Sequence, residues 1–71
     1  MTTGQTITDI EDIHAPWNKL VSIQTVAYEG GMSMFRLRIK EGKRFTDLEL
    51  DPETAKHLAG LMQDWIAEQS S

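Results

Sequence analysis

The clearest structural pattern in the chain lies in residues 21–53, VSIQTVAYEGGMSMFRLRIKEGKRFTDLELDPE. Apolar and polar residues alternate here with a period of two, which is typical of strands that bury one face. The segments EGG (residues 29–31) and EG (residues 41–42) interrupt the alternation, and glycine accepts the positive φ angles of tight turns. The pattern therefore predicts a three-stranded antiparallel β-meander over residues 20–50.

The register of the first hairpin follows from which side chains must share a face. With a three-residue loop at residues 29–31, Ile23 lies opposite Leu37 and the apolar partners fall on one side. A shift of one residue would place Ile23 opposite Arg38 and scatter the apolar residues over both faces. The sequence therefore predicts the Ile23–Leu37 register.

The second hairpin is predicted from the shorter break. With a two-residue loop at residues 41–42, Arg36 faces Asp47 and Arg38 faces Phe45. An Arg36–Asp47 cross-strand ion pair and a cation–π contact between Arg38 and Phe45 are then expected.

An amphipathic helix is predicted over residues 52–68. Asp51 is a favourable N-cap, Pro52 suits the first helical position, and Glu53 complements the positive end of the helix dipole. A wide apolar face follows, formed by Ala55, Leu58, Ala59, Leu61, Met62, Trp65 and Ile66. We expect this helix to pack across the apolar face of the sheet, which makes the fold class α+β.

The N-terminal segment is less regular. Residues 1–5 are mostly small and polar, and residues 1–7 are expected to be disordered. Residues 8–17 begin with Thr-x-x-Glu, the form of a capping box, and Ile10, Ile13 and Trp17 fall on one helical stripe. The pattern predicts a short helix or turn here, with an extended arm as the alternative.

Length and composition limit the possible classes of protein. The chain has 71 residues, enough for one domain, and a domain of this size is only marginally stable alone. It has no cysteine, so no disulfide can stabilise it, and we expect a homodimer. It also has no export signal and no apolar run of membrane-spanning length, so a cytoplasmic location is expected.

The sequence shows no arrangement typical of a catalytic site. Its two histidines are His14, which precedes Ala-Pro, and His57, which lies four residues after Glu53 in the predicted helix. A Glu53–His57 pair on a helix surface is more often a solvated pair than a pair of metal ligands. No phosphate-binding glycine motif is present either. We therefore expect no catalysis, no cofactor and no metal site.

The open face of the predicted sheet is the candidate binding surface. Basic, aromatic and apolar side chains converge there, and the candidate site consists of Val26, Met34, Arg36, Arg38, Lys40 and Phe45. Apolar side chains rimmed by charge favour a protein contact. Basic residues beside an aromatic ring are also typical of single-stranded nucleic-acid binding, although a net charge of −4 opposes that function.

Two short segments resemble the single-stranded DNA-binding coactivators: GKRF (residues 42–45) at the start of a strand, and LDPE (residues 50–53) at the start of the helix. The resemblance implies a curved sheet that carries basic and aromatic residues, and a dimer formed largely through helices. The chain departs from that family in its acidic net charge and in having one predicted strand fewer. The sequence thus favours a homodimeric, non-catalytic protein-interaction or regulatory module, with single-stranded nucleic-acid binding as the alternative.

Overall fold

The computed structural model describes residues 4–70, which form one antiparallel sheet followed by one helix. The sheet order β1-β2-β3-β4 follows the order along the chain. The elements are β1 (Gln5–Ala15), β2 (Lys19–Tyr28), β3 (Ser33–Glu41), β4 (Arg44–Leu50) and α1 (Pro52–Ser70). The predicted α+β class, with an antiparallel sheet and a C-terminal helix, is confirmed. The predicted number of three strands is wrong, because the sheet has four.

The additional strand, β1, occupies the segment where a short helix or an arm was the prediction. It begins at Gln5, inside the segment 1–7 for which the sequence predicts disorder, and residues 1–3 lie outside the described part of the chain. It pairs with β2 throughout its length, so the helix prediction for residues 8–17 is wrong.

A β-bulge in β1 explains why the sequence pattern resembled a helix. The register with β2 shifts between Asp9 and Glu11, so Ile10 is the extra residue. A bulge interrupts the period-two alternation that identifies a strand. Ile7 consequently lies opposite Val26 on one face, whereas Ile13 pairs with β2 on the other face. The three-residue spacing from the bulged Ile10 to Ile13 therefore imitates the start of the predicted helical stripe.

The two predicted hairpins have different outcomes. The β2–β3 register is confirmed, with Ile23 opposite Leu37. The β3–β4 register is wrong by two residues, since Glu41 pairs with Arg44 and the turn residues are 42–43. Gly42 adopts φ +61° and Lys43 does not have a positive φ, the arrangement of a type II′ turn. A shift of two residues leaves every side chain on its predicted face.

The two faces of the sheet differ in chemistry. The register and the strand alternation define an apolar sheet face, which consists chiefly of Ile13, Val21, Ile23, Thr25, Phe35, Leu37, Ile39, Leu48 and Leu50. The opposite, charged sheet face includes Gln24, Val26, Tyr28, Met34, Arg36, Arg38, Lys40, Phe45, Asp47 and Glu49. None of the residues of the apolar sheet face is buried.

The helix does not pack across the sheet, so that prediction is wrong for the single chain. α1 contacts only β3 and β4. Its large apolar residues form an exposed stripe, the α1 apolar stripe, with between 37% and 63% of each residue accessible: Leu58, Leu61, Met62, Trp65 and Ile66. A single residue, Asp51, separates β4 from α1, so the end of β4 sets the direction of the helix.

Candidate interaction surfaces

A three-residue network occupies one end of the charged sheet face. Arg36 donates to Glu49 Oε2 from Nε at 3.2 Å and from Nη2 at 2.8 Å. The Tyr28 hydroxyl donates to Glu49 Oε1 at 2.6 Å. These hydrogen bonds, first that from Tyr28 and then those from Arg36, lower the pKa of Glu49. The same hydrogen bond to Glu49 is the main cause that raises the pKa of Tyr28.

A second ion pair lies beside this network. Arg38 Nη1 is 3.1 Å from Asp47 Oδ2 and 3.3 Å from Asp47 Oδ1. The Arg38 guanidinium carbon also lies 4.4 Å from the centroid of the Phe45 ring, within cation–π range. Lys40 Nζ approaches the same ring at 5.9 Å. The predicted contact between Arg38 and Phe45 is therefore present. The two residues are not directly opposite each other, however, because Phe45 pairs with Lys40 in the observed register.

The structure places the six predicted site residues on the same face of the sheet: Val26, Met34, Arg36, Arg38, Lys40 and Phe45. Their accessibility differs from what an open binding face requires. Val26 is completely buried, and the Arg36 side chain, paired with Glu49, is only 12% accessible. Of the three cations among these residues, Arg36 and Arg38 are neutralised by carboxylates. Lys40 has no carboxylate partner within residues 4–70.

The ion pairs also correct the predicted cross-strand pairing. Arg36 pairs with Glu49, and Asp47 pairs with Arg38, so the predicted Arg36–Asp47 pair is wrong. Both changes follow from the two-residue shift of the β3–β4 register.

The two hairpin tips at the opposite end of the sheet form a shallow cleft. It has a volume of about 510 Å³, and its lining includes His14, Asn18, Leu20 and Lys40. Lys19 and Glu41 join the tips through an ion pair of 2.6 Å, and the hydrogen bond from Lys19 lowers the pKa of Glu41. The loop before Lys19 also carries an exposed tryptophan at position 17.

Sequence reasoning missed one candidate surface, the apolar sheet face. The amphipathic pattern of residues 52–68 led to the expectation that the helix would cover it. In the structure Phe35, Leu48 and Ile13 are all exposed there, with Leu48 48% accessible. The sequence signal that pointed to this outcome was small size without a disulfide, because such chains often complete their core by self-association.

Within residues 4–70, no group of three or more histidine, aspartate or glutamate side chains is arranged to hold a metal ion. The helix of that same region is not apolar enough over its length to cross a membrane.

Comparison with known proteins places the chain in a family. No curated protein matches it, and no solved structure matches it. A family model described as "Family of unknown function (DUF6967)" matches residues 4–68, which include all four strands and most of α1. The chain therefore belongs to the DUF6967 family.

Proposed function

We propose that this protein is a non-catalytic interaction module that works as a homodimer. The apolar sheet face and the α1 apolar stripe form the dimer interface, and the occupant of these surfaces is a second copy of the chain. The charged sheet face stays in solvent, where it is available to a further protein partner.

The accessible surface area supports this proposal most directly. The single chain exposes 5917 Å². A folded monomer of 8.1 kDa is expected to expose about 4,500 Å², so the excess is roughly 1,400 Å². If two copies each bury that excess, the total is ~2,800 Å², within the range of obligate homodimer interfaces.

The exposed hydrophobic residues show which surfaces a partner would cover. Most of the exposed large hydrophobic residues lie on the apolar sheet face and along α1. Contiguous exposed apolar patches often mark contact surfaces in stable proteins. A second copy fits because one chain offers both components of an α/β layer, namely an apolar sheet and an apolar helix.

The charged sheet face gives less support to the nucleic-acid alternative. Glu49 and Asp47 neutralise Arg36 and Arg38, and the chain carries a net charge of −4. A binder of single strands needs cations that are free to contact phosphates, since release of counterions supplies most of the affinity. Single-stranded nucleic-acid binding stays a prediction, with Lys40 and Phe45 as its best remaining contacts.

Two substitutions on the same strand test the proposal. Leu48 and Phe45 are about equally exposed, at 48% and 53%, but lie on opposite faces of β4. We expect wild-type protein to have the mass of two chains in sedimentation equilibrium, and Leu48→Ser to weaken the dimer. Phe45→Ser is the matched control and should leave the dimer intact. A monomeric wild-type protein, or an equal effect of both substitutions, would contradict the proposal.

A further inference from the structure

We infer that the dimer forms by reciprocal exchange, in which α1 of each copy lies on the apolar sheet face of the other copy. This inference rests on the proposed homodimer and adds its geometry. Three observations carry it: the fixed junction between β4 and α1, the two exposed apolar surfaces of one chain, and the polar back of the helix.

The short junction between β4 and α1 sets the direction of the helix. The Asp51 carbonyl accepts a 2.9 Å hydrogen bond from the Ala55 N–H, which closes the first helical turn. The Asp51 carboxylate accepts hydrogen bonds from Thr54, as an N-cap does. Folding α1 back onto its own apolar sheet face would require different backbone angles at Asp51, the one residue between β4 and α1. The observed junction instead leaves α1 in contact with β3 and β4 alone, with its apolar stripe exposed.

Reciprocal exchange covers both apolar surfaces with one symmetry operation. A dimer formed sheet to sheet would leave the two α1 apolar stripes in water. A dimer formed helix to helix would leave the two apolar sheet faces in water. A two-fold axis that places each helix on the other sheet buries all four surfaces, and two-fold dimers are the commonest oligomers.

The dimensions are compatible with this arrangement. α1 has 19 residues and is therefore about 28 Å long at 1.5 Å per residue. β3 has 9 residues, which span roughly 30 Å in an extended strand. One helix can thus lie along the length of the partner sheet with its whole apolar stripe in contact.

The opposite side of the helix is suited to solvent. A shallow surface hollow on α1 is lined by Glu53, Lys56, His57, Gly60 and Asp64, together with Leu61 at the edge of the α1 apolar stripe. At 100° per residue, Glu53, His57 and Asp64 lie roughly opposite Met62, which is at the centre of the α1 apolar stripe. Reciprocal exchange keeps these polar side chains in water while it buries Met62.

Cross-linking between chains of different mass tests the geometry. The chain has no cysteine, so introduced cysteines are the only reactive thiols. One chain carries Ile23→Cys on β2, a strand that its own helix does not contact. The other, extended by a tag, carries Met62→Cys. After mixing and mild oxidation, we expect a disulfide-linked product with the summed mass of the two chains.

The control replaces Met62→Cys with Asp64→Cys, two residues along on the polar side of α1. We expect the mixed product to be lost. Thr25→Cys, on the same face of β2, replaces Ile23→Cys if that variant does not fold. Mass measurement before oxidation shows whether each variant is a dimer.

The outcomes separate this inference from the proposed function. A dimer that shows no cross-link would overturn reciprocal exchange but not the proposed homodimer. The same holds for a dimer that cross-links only between two Met62→Cys chains or only between two Ile23→Cys chains. A monomeric mass for the wild-type chain would overturn both the inference and the proposed function.

Discussion

The hydroxyl of Tyr28 lies 2.6 Å from Oε1 of Glu49, although β3 runs between the two strands that carry them. The tyrosine ring therefore spans the width of β3. Arg36, on β3 itself, donates to the other oxygen of the same carboxylate. One ionised glutamate thus links three strands, beside Val26, the one completely buried side chain among residues 4–69.

This network predicts a pH dependence at the acidic end. The pKa of Glu49 is lowered below its ordinary 4.5 by Tyr28 and Arg36. Its hydrogen bonds therefore stabilise the fold above pH 4.5, and this contribution is lost as the pH falls through the lowered pKa. We expect the urea midpoint of the wild type to decrease with acidification, and Glu49→Gln to show a shallower decrease. Equal slopes would contradict the network.

The same network predicts the opposite dependence at the alkaline end. Because its hydrogen bond to Glu49 raises the pKa of Tyr28 above 10.0, the hydroxyl stabilises the fold below that pH. This contribution is lost as the pH rises through the raised pKa. Tyr28→Phe should remove that alkaline loss, measured by urea unfolding between neutral and alkaline pH. A Tyr28→Phe variant with the alkaline slope of the wild type would show that another group titrates.

Self-association predicts a dependence of thermal stability on concentration. Dissociation and unfolding are coupled when a chain folds stably only as a dimer, so dilution lowers the thermal midpoint. We expect the midpoint to rise steadily with protein concentration in calorimetry. Leu48→Ser should lower it, and Phe45→Ser should change it little. A midpoint that is the same at every concentration would contradict an obligate dimer.

Two glycine substitutions should have opposite effects. Gly42 has φ +61°, a conformation that costs a residue with a Cβ atom roughly 1–2 kcal/mol, so Gly42→Ala should destabilise the protein. Gly60 lies inside α1 and has open space where a Cβ would be, so Gly60→Ala should stabilise the helix by up to ~1 kcal/mol. Chemical denaturation measures both changes. A weakened dimer in Gly60→Ala would indicate that the helices approach each other through this glycine.

The exposed loop tryptophan gives a further test. Trp17 is 85% accessible and has φ +61°, which is unfavourable for a bulky residue. Trp17→Gly should therefore leave the thermal midpoint unchanged or raise it. Asn18→Gly is the matched control, because asparagine tolerates its φ of +58° and has less strain to relieve. A clear decrease for Trp17→Gly alone would show that the ring is buried in the assembly.

The helix cap predicts a difference between two substitutions at one position. Asp51→Ala removes the side chain that accepts hydrogen bonds from Thr54, whereas Asp51→Asn retains an acceptor of similar shape. We expect Asp51→Ala to lose more helical signal in circular dichroism at elevated temperature. Similar losses for both variants would assign the effect to the negative charge at the helix N-terminus rather than to capping.

The charged sheet face shows which features can be predicted from local sequence patterns and which cannot. Period-two alternation correctly assigned Arg36, Arg38 and Phe45 to one face, because the side-chain period of a strand does not depend on its partners. Alternation could not distinguish a turn at residues 41–42 from one at residues 42–43. The positive φ of Gly42 at the first central position decided that register, and with it which carboxylate each arginine meets.

The sequence by itself determined the three C-terminal strands, their faces and the helix that follows them, since these depend on local periodicity, glycine turns and a capping residue. Only the tertiary structure revealed β1, because the bulge at Ile10 conceals the alternation of this strand until its pairing with β2 is seen. It also decided the direction of α1. Burial of the apolar stripe is a non-local property, and amphipathic periodicity shows that a helix needs an apolar partner without showing which chain supplies it.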